Sequence, residues 1–195
     1  MKKHNSSISR RNLLQLAGGA AALSATALTA KADKNKAGVS KGRINQSVVH
    51  WCWGERGWKE EQTAKAAKDL GCKSVELIAP EHWPMLKDHG LTCAIAPNGV
   101  EGAPFMRGFN NPDYHDMLIK ATTETIDACA EHGVKSGIAF NGYKWKKADD
   151  PTSGEISREE GKANCVAGLK KIIGHAEKKG VNICLEHLNT RDDSH

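Results

Sequence analysis

Glu186, the first residue of a polar run, is the candidate functional residue that is most informative in this 195-residue sequence. The apolar residues 183–185 precede the glutamate and predict a buried strand. An ionised carboxylate at the end of such a strand needs a cation or several hydrogen-bond donors. A divalent metal ion would satisfy it, and so would an ion pair with Arg191 or a nearby lysine. The spacing alone leaves both roles open.

Further candidates follow other predicted apolar strands. His50 and Trp51 come after the first strand and predict one wall of a sugar pocket, because apolar faces stack on sugars and imidazole binds hydroxyl groups. The alternative for His50 is a hydrogen-bonded core residue. The other strand-end candidates are Trp53, Glu76, Asn98, Asn141, Tyr143, His187, Asn189 and Asp192. Three more histidines lie on predicted helices and are expected to be solvated: His115, His132 and His175.

The elements that position these residues recur in a regular pattern. At four places a predicted helix ends, a glycine follows, and an apolar strand begins within about three residues. Glycine adopts the left-handed conformation that closes a helix without steric penalty. The four glycines are Gly71, Gly90, Gly133 and Gly180. The expected strands are 45–51, 74–78, 91–96, 134–140 and 181–186.

Helical patterns fill the intervals between these strands. They cover 58–70, a short segment at Pro84, 112–130, and a helix opened by the capping box from Ser157 to Glu160. Apolar strands that alternate with helices predict a parallel sheet in an α/β protein, either doubly wound or a barrel. No Gly-x-Gly-x-x-Gly follows the first strand, so a dinucleotide site has little support. The lysine-rich segment 144–147 is expected to be a solvated loop, or a lid at the barrel mouth.

The length of the chain suggests an incomplete barrel. A β/α barrel with eight units has about 250 residues, or about 31 per unit. Residues 44–195 therefore hold close to five units. A chain that stops after its fifth strand would leave a parallel edge exposed. We expect residues 44–195 to be the N-terminal part of a barrel; a self-sufficient five-stranded domain is the alternative.

The first 30 residues have the features of an export signal. Arg10 and Arg11 precede a weakly apolar run from 13 to 30, and alanines at 25, 27, 30 and 32 offer small-x-small cleavage sites. This predicts a twin-arginine signal peptide at 1–30, recognition by the twin-arginine export machinery, and a periplasmic or otherwise exported protein. An uncleaved anchor is the alternative. Residues 31–43 are expected to be a linker.

Charge and cysteine content narrow the function further. The sequence has 28 basic and 23 acidic residues, but residues 1–30 hold four of the basic ones and none of the acidic ones. The near-neutral remainder gives no electrostatic footprint for nucleic acid.

The six cysteines are widely spread and form no Cys-x-x-Cys pair. We expect them to be small buried hydrophobic residues rather than a disulfide framework or a zinc site.

Two segments carry a resemblance to a known family. Residues 74–80, Ser-Val-Glu-Leu-Ile-Ala-Pro, resemble the second strand of hydroxypyruvate isomerases, which belong to the xylose isomerase-like TIM barrels of the sugar phosphate isomerase and epimerase superfamily. Residues 185–192 resemble their fifth-strand signature. That signature usually reads Glu-Pro-Ile-Asn, and here His187 replaces the proline. The similarity spans 44–195 in order, and the substitution suggests a subgroup with another substrate.

The resemblance implies an α/β fold, a (β/α)8 TIM barrel of which this chain holds the first five strands. It implies that Glu186 is both a metal ligand and one of two acid/base carboxylates, with Mg, Mn, Zn or Co as the divalent ion. Asp192 matches a substrate-contacting acid of related epimerases. Substrate contacts are also expected from His50, Trp51, Asn141 and Asn189. The second glutamate and the other ligands are expected from strands six to eight, beyond His195.

The implied reaction interconverts an α-hydroxy aldehyde and an α-hydroxy ketone through an enediolate, with hydroxypyruvate or a related small sugar as substrate. Alternatives are a sugar epimerase of the same superfamily, a non-catalytic carbohydrate-binding barrel, or an inactive fragment. An endonuclease IV-type enzyme would need several early-strand histidines and a basic face, and His50 stands alone. A homo-oligomeric full-length form is left open.

Overall fold

The structure is a computed structural model that describes residues 44–188. Three predicted parts lie outside the described residues: the signal peptide at 1–30, the linker at 31–43, and the site residues Asn189, Arg191 and Asp192. None of the described helices has the length and apolar character needed to cross a membrane.

Parallel strands form one continuous arc. Strands β1 (Ser47–Val49), β2 (Ser74–Glu76) and β3 (Thr92–Cys93) pair in that order. Strand β4 (Ser136–Phe140) pairs with β7 (Asn182–Glu186) over its whole length. A parallel bridge between Ala96 and Gly137 joins the two groups, and the Ala96 amide donates to the Ser136 carbonyl at 2.8 Å. The strand order follows the chain without the reversal of a doubly wound sheet, which identifies the arc as a barrel wall.

Helices connect the parallel strands on the outside of the arc. They are α1 (Trp51–Gly54), α2 (Glu60–Asp69), α3 (Trp83–Asp88), α4 (His115–His132) and α5 (Arg158–Lys179), with 3₁₀ turns at Pro80–His82 and Pro112–Tyr114. All four predicted junction glycines have left-handed φ angles, from +66° at Gly180 to +78° at Gly71. The Ser157 hydroxyl accepts from the Glu160 amide at 3.2 Å. The predicted helix ends and the cap of α5 are therefore confirmed.

Two apolar clusters stabilise this arrangement. In the first, Ala64 and Ala67 of α2 pack with Val75 of β2, all 1 % exposed or less, because alanines let the helix approach the sheet closely. The second cluster joins α4 and α5 to β4 through Phe109, Leu118, Ala139 and Ile172. Burial of each of the larger apolar side chains contributes about 1.5–3 kcal/mol to the stability of the fold.

The segment after β4 differs from the predicted solvated loop. Strand β5 (Trp145–Lys147) pairs antiparallel with β6 (Asp150–Glu155) and forms a hairpin. The Lys144 ammonium lies 2.9 Å from the Glu155 carboxylate and 4.5 Å from the centre of the Trp145 ring. These contacts order the lysine-rich segment while its charged groups stay near the surface.

Strand β7 is more exposed than the sequence predicts. Leu185 is 49 % exposed, and Glu186 is exposed as well. The prediction of a buried strand is wrong for the described chain. The reason is that β7 pairs with β4 along one edge, and no strand within residues 44–188 pairs with its other edge.

All six cysteines are free thiols, two of them buried and four half-buried. Burial raises the pKa of Cys93, Cys129 and Cys165 to about 11. At pH 8 the thiolate fraction of such a group is about one in a thousand.

We therefore expect iodoacetamide to leave Cys93, Cys129 and Cys165 unmodified in the native protein and to label them after unfolding in urea. Peptide mass spectrometry measures this, with half-buried Cys52 as the internal comparison; native labelling of Cys93 as fast as Cys52 would contradict it.

Candidate functional site

A cleft of about 600 Å³ lies at the carboxyl ends of the parallel strands, where barrel enzymes hold their active sites. This volume is typical of small-molecule sites. Residues that follow β1, β2, β3 and β7 contribute to it, and β4 contributes Ile138 and Phe140 of the strand itself. Its lining consists of Trp51, Glu55, Leu77, Pro97, Asn98, Gly102, Pro104, Phe105, Ile138, Phe140, Glu186 and Leu188.

Glu186 lies at the last position of β7 and lines this cleft. Its partner in register is Phe140 of β4, which lines the cleft as well. Since paired residues of neighbouring strands share a face, the carboxylate projects to the interior side of the arc. Leu185 projects to the opposite side. Glu186 thus lies at the carboxyl end of β7, in the lining of the cleft.

Two carboxylates in the lining of the cleft, Glu55 and Glu186, are of the ligand type that Mg²⁺ and Mn²⁺ prefer. Within residues 44–188, no group of three or more His, Cys, Asp or Glu side chains is arranged to hold a metal ion. The described residues therefore do not form a complete metal site.

Aromatic side chains form the apolar part of the cleft. Trp51 begins α1 and is 55 % exposed, so its indole is available to a ligand. Phe105 lines the cleft from the long segment after β3, and its ring centre lies 5.9 Å from that of Tyr143. Flat apolar surfaces of this kind stack on the faces of sugars. Trp51 follows β1 closely and lines the cleft.

His50 has a different position from Trp51. Its Nδ1 lies 2.9 Å from the Thr63 hydroxyl, and its Nε2 lies 3.5 Å from the Glu60 carboxylate. A Cβ atom at Gly54 would come within 3.0 Å of that same Nε2, so α1 packs against the imidazole. His50 does not belong to the cleft lining of the described chain. It connects the end of β1 to α1 and α2, the alternative that the sequence left open.

Glu60 lies at the centre of a small charged group. Its carboxylate is 3.8 Å from His82 Nε2 in addition to the contact with His50. A hydrogen bond from its own backbone N–H, followed by the nearby His82 and His50 imidazoles, holds the pKa of Glu60 below its usual value. The group ties the loop after β2 to the start of α2.

Asn141 lines a second cleft of about 500 Å³, which is bordered by β7, the start of α5 and the loop after β4. Its side-chain amide donates to the Gly142 carbonyl at 3.3 Å. Glu186 borders both clefts, so Asn141 and Trp51 contribute to neighbouring spaces rather than to the same one. Of the candidates named from the sequence, the structure brings Trp51, Asn98 and Glu186 together in the first cleft.

Two features of the first cleft were not predicted. Phe105 belongs to a segment in which the sequence shows no strand or helix pattern; its position after a strand end was the available signal, since such loops carry function. Leu77 follows β2 with a left-handed φ of +52°, rare for a residue with a side chain, and lines the cleft. Its amide donates to the Ile95 carbonyl at 3.0 Å, which holds this conformation.

Residues 64–194, more than half of the chain, match the family of xylose isomerase-like TIM barrels. The chain belongs to this family. The predicted α/β TIM-barrel fold, present in part, is thereby confirmed. Among curated protein sequences, none matches this xylose isomerase-like chain.

Solved structures of similar fold include two D-psicose 3-epimerases. One, determined in the presence of D-fructose, has a TM-score of 0.58 and 18 % identity, and covers 78 % of this chain and 55 % of its own. The other, with D-tagatose, from Clostridium cellulolyticum H10, has a TM-score of 0.58, 17 % identity, and coverage of 77 % and 54 %. A xylose isomerase domain protein from Planctomyces limnophilus has a TM-score of 0.50, 13 % identity, and coverage of 76 % and 55 %. The chain thus spans about half the length of these structures, and the likeness concerns the fold.

Proposed function

We propose that this xylose isomerase-like protein is a metal-dependent isomerase or epimerase of small sugars or hydroxy-keto acids that acts through an enediolate. The observation that carries the proposal is the Glu186 carboxylate in a cleft with aromatic walls at the carboxyl ends of the strands. A carboxylate placed beside a bound α-hydroxy carbonyl compound can remove the proton from the hydroxyl-bearing carbon next to the carbonyl. Hydroxypyruvate is the substrate that the resemblance of residues 185–192 suggests.

In the proposed reaction, Glu186 moves the proton, and Trp51 and Phe105 hold the substrate. Glu186 takes the proton and holds it at a carboxylate oxygen while the enediolate forms. Return of this proton to the neighbouring carbon, with transfer of the hydroxyl proton to the former carbonyl oxygen, gives isomerisation. Delivery of a proton from a second acid to the opposite face of the original carbon gives epimerisation. Trp51 and Phe105 stack on the carbon skeleton and keep water away from the enediolate.

A divalent cation, when bound, would polarise the substrate carbonyl and stabilise the negative charge that develops on its oxygen. Glu186 would be one of its ligands. The proposed set of ions is Mg, Mn, Zn or Co, as the family resemblance implies. Asn189 and Asp192 stay proposed substrate contacts, and Asn141 is proposed to contact a substrate that extends toward the second cleft.

Of the two reactions in this proposal, epimerisation is supported as well as isomerisation. The favouring observation is the similarity in fold to two structures described as D-psicose 3-epimerases, matched over 77 % to 78 % of this chain. A cleft of about 600 Å³ admits a three-carbon acid as well as a ketohexose. The common step of both reactions is removal of a proton from carbon, so the first test is directed at that step.

We expect the natural polypeptide to exchange carbon-bound hydrogen of hydroxypyruvate or of a ketohexose with solvent. The assay incubates the protein in D₂O with hydroxypyruvate, D-fructose, D-psicose or D-tagatose and follows deuterium incorporation by NMR. Removal of metal with EDTA is expected to stop exchange, and added Mn²⁺ is expected to restore it. Sugar binding without exchange, unchanged by EDTA, would favour the non-catalytic carbohydrate-binding barrel instead.

Export through the twin-arginine machinery to the periplasm is a separate proposal, supported by residues 1–30 alone. Fusion of this segment to a reporter that folds before export tests it. Replacement of Arg10 and Arg11 by lysine is expected to retain the reporter in the cytoplasm.

A further inference from the structure

Asn98 has a buried donor without a partner at the wall of the first cleft. The residue is 3 % exposed and belongs to the cleft lining. Its Oδ1 accepts from the Val100 amide at 3.2 Å. Its Nδ2 is buried, and no described group accepts a hydrogen bond from it. A buried amide that lacks an acceptor is uncommon in folded proteins and destabilises the unliganded state.

The contact with Val100 determines which end of the amide is free. Rotation of the side-chain amide by 180° would place Nδ2 against the Val100 N–H, and two donors would then face each other. The carbonyl end of Asn98 is therefore committed to the turn. The NH₂ end is available to another group.

The backbone around Asn98 is held in place by helix α4. The Thr125 hydroxyl donates to the Pro97 carbonyl at 3.4 Å. Gly99 has a left-handed φ of +74°, and a Cβ atom there would lie 3.2 Å from the same hydroxyl. Since the turn is packed on both sides of Asn98, its side chain has little freedom to swing its donor into solvent. Fixed donors of this kind are what a preorganised binding site requires.

We infer that Asn98 is a substrate-positioning residue whose Nδ2 donates to a carbonyl or hydroxyl oxygen of the ligand in the first cleft. The inference rests on the proposed function and deepens it, because it names the chemical group that the cleft wall after β3 recognises. The donor is uncharged, so it selects for an oxygen acceptor rather than for net charge. A ligand that lacks this oxygen leaves the donor unpaired and is bound more weakly.

The test uses the full chain and two probes, D-fructose and hydroxypyruvate. Binding is followed by ¹⁵N–¹H NMR of the Trp51 indole N–H and of the side-chain amides. In the wild-type protein, we expect the Asn98 NH₂ resonances to shift when a probe is added. Asn98→Ala and Asn98→Asp are each expected to weaken binding about tenfold, because neither side chain can donate a hydrogen bond to the ligand oxygen.

The matched control is Ser47→Ala. Ser47 Oγ is the other buried side-chain atom of the described chain without a hydrogen-bond partner, but Ser47 starts β1 and is not part of the cleft lining. Its removal is expected to leave probe binding unchanged. Thermal unfolding of each variant shows whether it is folded, and if neither Asn98 variant folds, the NMR shift in the wild-type protein decides.

Two unfavourable results are distinguishable. If the Trp51 indole responds to a probe while the Asn98 amide does not, or if folded Asn98 variants bind as the wild type does, the donor serves an enclosed water and the inference is wrong, whereas the proposed function stands. If neither probe affects Trp51 or any other residue of the cleft, the proposed function fails and the inference fails with it.

Discussion

Glu186→Gln is expected to reduce turnover of the proposed reaction by roughly 10²- to 10⁴-fold, the contribution typical of a general acid or base. The amide cannot accept the proton that the carboxylate takes from carbon. It is also a poorer ligand for a hard cation, so metal affinity is expected to fall as well. Both effects arise at the same atoms, and deuterium exchange in D₂O together with metal titration measures them.

The fold should tolerate this substitution. Within the described residues, Glu186 forms no side-chain hydrogen bond or ion pair, and it is exposed on the open edge of β7. We therefore expect the thermal unfolding temperature to stay within about 2 °C of the wild type. The matched control is Glu124→Gln, which makes the same chemical change at an exposed position on α4, outside both clefts. Turnover retained by the Glu186 variant would rule out its assignment as the base.

The sequence predicted the features that depend on local backbone chemistry. Each junction glycine has its left-handed conformation, and the Ser157 hydroxyl caps α5 as the capping box indicates. These features follow from residues within a few positions of each other. The predicted strand positions are also confirmed. Each observed strand is one to four residues shorter than its predicted range, because apolar runs mark a strand more clearly than they mark its last hydrogen bond.

Side-chain direction at the strand ends was less predictable. His50 has helical backbone angles, with φ −66° and ψ −41°, so the chain leaves β1 immediately and turns this imidazole toward Thr63. A strand pattern in the sequence assumes that side chains alternate between the two faces of the sheet, and it cannot show at which residue this alternation stops. Trp51 is the next residue and lines the cleft. The change from strand to helical backbone at His50 thus leaves Trp51 in the lining of the cleft and His50 outside it.

Long-range packing caused the other differences. His115 was expected to be solvated on its helix, but it is buried and its Nε2 lies 2.9 Å from the Phe109 carbonyl. The segment between β3 and α4 folds back over this histidine, and nothing in the neighbouring residues indicates that it does. His175 agrees better with the expectation, since it lies near the surface and contacts Asp127 at 2.9 Å.

The same fold-back places the segment after β3 against the loop after β4, and one glycine makes the contact close. The Phe109 amide donates to the Phe140 carbonyl at 3.1 Å, and the Asn110 amide donates to the Asn141 carbonyl at 2.9 Å. A Cβ atom at Gly108 would lie 2.1 Å from the carbonyl carbon of Asn141. Since the atoms it would meet belong to backbone, no side-chain rotation can relieve the overlap.

Gly108→Ala is therefore expected to lower the free energy of unfolding by about 3 kcal/mol, as the two segments must separate. The cleft should be affected as well, because Phe105 and Phe140 line it from either side of this contact. Urea unfolding followed by circular dichroism measures the stability, and the ¹⁵N–¹H NMR resonance of the Trp51 indole measures the binding of D-fructose.

Gly174→Ala provides the matched control for this substitution. Gly174 is exposed in the middle of α5, and a Cβ atom there meets no other atom within 4 Å. Alanine has a higher helix propensity than glycine, so this variant is expected to be more stable by about 0.5–1 kcal/mol. The same added methyl group should thus have effects of opposite sign at the two positions. If Gly108→Ala were as stable as the wild type, the close backbone contact would not hold the barrel mouth together, and the placement of Phe105 in the cleft would have to be reconsidered.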